Sequence, residues 1–209
     1  MTSPQVNELQ LLLDACTPEE RREVFDRLRK EFHIHQIETD LNVKAEVILE
    51  AISQASDLTI RGIRGIIAES SFYYNVIRGL SDWKLIAQTG NQPFDFHIRD
   101  YTGPVKIQVK MQRLKAHKPM MAWEANRSFQ RDMYVVETQR TRSGKGNDGK
   151  DTRPYKFGEF DILAVSFQPS TGNWDRYLYT LGRWLLPTIG HGELINKFQP
   201  VSLKPNDDW

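Results

Sequence analysis

Residues 93–113 read PFDFHIRDYTGPVKIQVKMQR, and two runs within them alternate strictly between apolar and polar side chains. In the first, Phe94, Phe96 and Ile98 alternate with Asp95, His97 and Arg99. In the second, Val105, Ile107, Val109 and Met111 alternate with Lys106, Gln108 and Lys110. A period of two marks a strand with one face in a core, so strands are expected over 94–99 and 105–111. The connection is short enough for an antiparallel hairpin. Register is then nearly forced, because a one-residue slip would turn every side chain of a strand over. Pairing Phe96 with Ile107 sets Asp95 opposite Gln108, and pairing Phe96 with Val109 sets Asp95 opposite Lys110. Either way an acid, an amide and an ammonium share one patch, with opposed Cβ atoms about 4.5–5.5 Å apart.

Such a patch suits phosphodiester hydrolysis. A carboxylate at Asp95 can hold Mg2+, whose oxygen ligands sit at about 2.0–2.1 Å. The ion polarises a phosphoryl oxygen and lowers the pKa of a bound water. Gln108 offers its amide oxygen as an uncharged second ligand, and the main-chain carbonyl of Val109 offers a third. Lys110 can stabilise charge on the phosphorane or orient the attacking water. The competing reading is a solvated sheet face with an ordinary ion pair. His97 shares this polar face and is expected at the surface.

The pattern PFDF followed by IQVK resembles the PD-(D/E)xK nuclease superfamily, which includes many type II restriction endonucleases. The family motif is an acid on one strand, then (D/E)-x-K on the next. Asp95 matches the first acid and Lys110 the lysine, while Gln108 stands where the usual motif has an acid. Q-x-K variants are familiar among modification-dependent restriction nucleases. The resemblance covers roughly residues 60–170 and implies an α/β fold of the restriction-endonuclease-like kind: a mixed central β-sheet flanked by helices, behind a helical N-terminal region. It implies a preceding helix with an acid that supports the metal, here Glu69 in IRGIIAESSF. The implied catalytic set is Asp95, Gln108, Lys110 and Glu69, with Asp95, Gln108 and Val109 holding Mg2+. The implied activity is a type II site-specific deoxyribonuclease acting on double-stranded DNA. Alternatives are a repair or junction-cleaving nuclease of the same fold, or an inert nucleic-acid-binding protein.

Outward from the motif, Thr17-Pro18-Glu19-Glu20 is a helix start, with an N-cap residue, proline at the first position and acids in the first turn. Further helices are expected near 9–13, over 43–54, and from Asp57 or Thr59 to about Val76. Gly62 and Gly65 weaken the last by about 1 kcal/mol each against alanine, unless another backbone approaches them closely. Strands are expected over 83–88 and 134–138. A helix is expected over 117–130, with Pro119 in its first turn. The apolar run FDILAVSF, 160–167, reads as a central strand. The aromatic-rich 174–184 suggests a strand and a short helix, and the tail from Pro200 reads as irregular. Residues 1–58 form one expected region, for packing or dimerisation, and 59–209 the nuclease domain.

The 209 residues carry a net charge of +1, but unevenly. Residues 1–58 hold 12 acids and 6 bases, whereas 103–156 hold 13 bases and 5 acids. Segregation of this kind creates a positive surface for phosphates. Arg113, Lys115, Arg140, Arg142, Lys145, Asn147 and Arg153 are the expected DNA contacts, several of them flanking a glycine-rich loop that suits a groove-reading arm. Cutting both strands needs two active sites, so a symmetric homodimer is expected.

Other classes fit less well. The single cysteine, Cys16, excludes an intramolecular disulfide and a cysteine-based zinc cluster. No P-loop appears, so no nucleotide cofactor is expected. No apolar run approaches membrane-spanning length, and the first residues lack the pattern of a secretory signal. Together these fit a cytoplasmic protein.

Overall fold

Of the two registers open to the alternating strands, the computed structural model adopts the first. Phe96 pairs with Ile107, His97 with Lys106 and Ile98 with Val105, antiparallel. The structure describes residues 3–32, 35–140 and 152–203. The chain divides into two compact units, Met1–Ile60 and Arg61–Trp209.

The first unit holds helices α1 (Pro4–Ala15), α2 (Pro18–Glu31), α3 (Gln36–Asp40) and α4 (Ala45–Ser53). Thr17 starts α2 with a capping box: its backbone N–H donates to Glu20 and its side chain accepts from the Glu20 N–H. Glu38 is a buried acid that periodicity did not single out. Its carboxylate accepts the N–H of His35 at 3.0 Å and of Ala45 at 2.8 Å. It therefore caps α4, whose own N-cap residue, Lys44, makes no side-chain cap bond. The division between the units falls in the first turn of α5 (Asp57–Asn75). Among the described residues no helix is long and apolar enough to cross a membrane.

The second unit is built on a mixed five-stranded sheet. Its strands are β1 (Lys84–Leu85), β2 (Phe96–Arg99), β3 (Pro104–Met111), β7 (Ile162–Ser166) and β8 (Tyr177–Leu181), in the spatial order β1-β2-β3-β7-β8. β3 and β7 run parallel and the other neighbours antiparallel. Parallel neighbours need a long crossover. Here it carries a small hairpin, β4 (Leu114–Lys115) and β5 (Lys118–Pro119), then α6 (Ala122–Ala125) and β6 (Met133–Glu137).

Two apolar layers cover the two faces. Ala68 and Phe72 of α5 pack with Ile98, Ile107, Val109 and Ala164. On the other side Phe94, Leu163 and Val165 pack with Val136, Tyr155, Phe160, Ile195 and Val201. Leu163, Ala164 and Val165 thus alternate between layers, which explains why 160–167 is apolar without a break. Phe94 was expected beside Phe96 and Ile98. It lies instead in the opposite layer, because the regular strand begins only at Phe96.

The expected helix over 117–130 is a hairpin and a single helical turn. Ala116 and His117 both have positive φ, as a two-residue hairpin loop requires, and no glycine announces it. The described part of the tail is not irregular. Phe198–Ser202 forms β11, which pairs antiparallel with β6, and Pro200 is tolerated because this ladder has only two strands. Before it, α7 (Gln168–Thr171) follows β7, and β9 (Pro187–Thr188) pairs with β10 (His191–Ile195). The expected strand over 83–88 shrinks to Lys84–Leu85. A Cβ at Gly62 or Gly65 would meet nothing within 4 Å among the described residues, so close backbone approach does not explain these glycines. Gly182 is different: its Cβ would sit 2.5 Å from the Phe160 carbonyl oxygen.

Candidate active site

Asp95 lies where the β2–β3 ladder stops. Its N–H still donates to the Ile107 carbonyl at 3.0 Å. Beyond that point β3 has no strand partner on this side, and the Asp95 carboxylate takes over. Oδ2 accepts the Val109 N–H at 2.7 Å and the Gln108 amide Nε2 at 2.5 Å. The same Nε2 donates to the Val109 carbonyl at 3.1 Å. The acid, the amide and the main-chain carbonyl therefore meet at one point. This is not a solvated sheet face: Gln108 is 2% exposed.

Glu69 reaches the same place from α5. Together with Asp95, Ser70, Tyr73, Asn91 and Phe96 it lines an open cleft of about 490 Å3. Burial pushes the Glu69 carboxyl up to about 7; the Asp95 charge adds to this, and Lys110 opposes it. Asp95 is also pushed above its ordinary value by burial, against the Lys110 charge and the Val109 N–H bond. Both shifts come first from burial, which disfavours the charged carboxylates, and Glu69 also feels the Asp95 charge. Lys110 supplies part of the balance. Its Nζ lies 5.3 Å from the centroid of the Tyr155 ring.

Glu69, Asp95, Gln108, Val109 and Lys110 thus converge, from helix α5, the residue just before β2, and β3. The expected DNA contacts are placed differently. Arg113 pairs with Glu137 at 2.6 Å and Lys115 with Glu124 at 2.8 Å. Arg140 pairs with Glu159 at 2.5 Å and also lies 5.2 Å from the Tyr155 ring centroid. These three were expected as DNA contacts, and each has a carboxylate beside it. Partly exposed pairs of this kind are weak, about 0–1 kcal/mol, so a phosphate can compete for them. Arg153 is exposed, and its carbonyl accepts the Arg140 N–H at 3.0 Å. Arg142, Lys145 and Asn147 lie outside the described residues.

His97 is not a surface residue. It is half-buried, with its ring 5.5 Å from that of Phe94, and Nε2 is buried with no partner among the described residues. Sequence reasoning missed Tyr155 and Glu159. The available signal was an aromatic residue inside a basic stretch, RPYKF, where solvated loops usually lack one.

A metal here would be held by few acids. Among the described residues no three His, Cys, Asp or Glu side chains gather as a metal-holding group. The donors are two carboxylates, a main-chain carbonyl and an amide that offers oxygen once turned about its last bond. All are hard oxygens, the donor type that suits Mg2+.

No family model matches this chain, and no curated protein matches it. Among solved structures, a bacterial homing endonuclease, I-Ssp6803I, is similar with a TM-score of 0.40 and 17% identity, over 73% of this chain and 82% of that one. A likeness that distant says nothing of chemistry, which rests on the residues above.

Proposed function

We propose that this protein is a Mg2+-dependent endonuclease that hydrolyses phosphodiester bonds in double-stranded DNA, as a sequence-specific restriction enzyme of the type II kind. The observation that carries the proposal is the meeting of Asp95 Oδ2, the Gln108 amide and the Val109 carbonyl within 3.1 Å of one atom, Gln108 Nε2. Asp95, Glu69, the Val109 carbonyl and a turned Gln108 amide would hold Mg2+. Bound there, the ion supplies Lewis-acid polarisation of the scissile phosphate. Lys110 sets its positive charge where the phosphorus centre gains negative charge. Glu69 and Asp95 repel each other without a cation, so the pair favours Mg2+ by its own electrostatics.

DNA would be held by the basic residues of the second unit, with Arg113, Lys115, Arg140 and Arg153 on phosphates. Arg142, Lys145 and Asn147 would read base edges. A homodimer would place one site on each strand. A second reading has its own observation: Gln108 turns its nitrogen, not its oxygen, towards Asp95. If that orientation persists, the site binds metal poorly and the protein binds DNA without cutting it.

Digestion of phage or plasmid DNA with Mg2+ separates these readings. Discrete fragments support restriction, and cleavage of branched DNA alone supports a junction nuclease. Retention of DNA without cleavage supports the inert reading. Asp95→Ala and Lys110→Ala should each abolish cutting, and full activity in either removes the assigned role.

A further inference from the structure

Tyr155 has no part in the chemistry set out so far, yet it touches that site from the side of the sheet away from α5. It is 3% exposed, and its ring packs edge-on against Phe160 with centroids 5.4 Å apart. Its carbonyl accepts the Ile195 N–H at 2.8 Å, which ties the backbone to β10. Ring and backbone are therefore fixed by the core. Lys110 Nζ lies 5.3 Å from the ring centroid. The Arg140 guanidinium lies 5.2 Å from the same centroid. Glu159 holds Arg140 at 2.5 Å and uses its other carboxylate oxygen to accept the Lys156 N–H at 2.9 Å.

A lysine is a point charge on a flexible stem with four side-chain torsions. Placing it costs rotamer entropy unless something fixed restrains it. An aromatic face attracts an ammonium within about 6 Å, and the attraction grows when water is excluded. A buried tyrosine offers that face together with a hydroxyl.

We propose that Tyr155 is a positioning residue that holds the Lys110 ammonium beside Asp95 and Glu69, with the Arg140–Glu159 pair bracing the same ring. The placement stands on geometry alone; its consequence for cleavage rests on the nuclease reading.

The test uses the full chain with 13C-labelled lysine side chains, and Lys110 is identified by its loss in Lys110→Arg. In the metal-free wild type the Lys110 side chain should be restrained, unlike the exposed Lys84. It should become mobile in Tyr155→Leu and intermediate in Tyr155→Phe, which keeps the ring. Cleavage kcat should fall about 10-fold in Tyr155→Phe and about 100-fold in Tyr155→Leu, the scale of losing one oriented charge-stabilising contact. Metal-free duplex affinity should move less than about twofold, because the lost contact acts on the transition state. A Lys110 as mobile in the wild type as Lys84 overturns the proposal. So does a restrained Lys110 indifferent to Tyr155→Leu, or unchanged kcat in both variants of a cutting enzyme. If the wild type cuts no DNA, the nuclease reading fails and the lysine dynamics still decide the placement. Tyr155→Phe guards against Tyr155→Leu simply unfolding.

Discussion

The two faces of β3 are both buried and could hardly differ more. One carries Ile107 and Val109 into an apolar layer with Ala68 and Phe72. The other carries the buried Gln108 and the half-buried Lys110, and the buried Gln112 follows just past the end of the strand. Gln112 is 2% exposed; its Oε1 accepts the Ser170 hydroxyl, while Nε2 is buried with no partner among the described residues. Burying apolar area stabilises by roughly 25 cal/mol per Å2. Burying polar groups costs free energy unless each finds a partner. A strand that spends one face on polar residues in a core sacrifices stability there, and such places are where function concentrates.

Breaking the polar face should remove chemistry and leave the fold. Asp95→Asn keeps an acceptor for the Val109 N–H but loses the charge. Plasmid cleavage in Mg2+ should fall at least about a thousandfold, near 4 kcal/mol of transition-state stabilisation. Circular dichroism should stay native. Breaking the apolar face should do the reverse. Phe72→Ala deletes a ring in contact with Phe96 and Tyr177, with centroids 5.5 and 5.0 Å away. It should cost about 3–5 kcal/mol in urea unfolding, the usual range for a buried phenylalanine. A loss under about 1 kcal/mol would mean that this layer is not packed as described.

Gln108→Glu sharpens the contrast. A third carboxylate beside Asp95 and Glu69 should lower the melting temperature without metal. Mg2+ should then raise that temperature by more than in the wild type, by mass action on a tighter site. An equal Mg2+ shift in both proteins would place Gln108 outside the ligand set.

The smallest effect is expected at Glu69. Burial first, and then the Asp95 charge, push its folded carboxyl from the ordinary 4.5 up to about 7. Folding therefore favours the protonated form. That stability is complete below the unfolded value and is lost as pH rises through the folded one. Glu69→Gln should melt higher than the wild type at about pH 8 without metal, and equally at about pH 4. Because Glu69 is only partly buried, water screens the effect and the gap is modest. A higher-melting wild type at the alkaline end would reverse the electrostatic picture.

Much of the sheet was legible because its signals are local. Period two over 94–99 and 105–111 marked two strands, which form at Phe96–Arg99 and Pro104–Met111, and left two registers; the apolar run around Leu163 marked a strand covered on both faces. Thr17 announced α2 by its capping chemistry. The convergence of Asp95, Gln108 and Val109 follows from the same alternation. What stayed hidden depends on distant partners. Nothing near Phe94 tells it to cross to the other layer, and nothing near Pro200 reveals the β6 strand it joins. The hairpin at Ala116 and His117 uses left-handed residues without the usual glycine or asparagine. The carboxylates beside Arg113, Lys115 and Arg140 lie 9 to 24 residues away in sequence, so a count of basic residues shows cations where the fold makes pairs. Tyr155 reaches Lys110 across 45 residues of chain, and no periodicity links them.

The most direct measurement is the rate of plasmid cleavage in Mg2+, taken side by side for the wild type and Lys110→Ala at matched folded concentration. The expected result is Mg2+-dependent cutting by the wild type, suppressed by chelation, with none above background from the variant. Equal rates in the two proteins, or wild-type cutting that survives complete chelation, would contradict the assignment of this site.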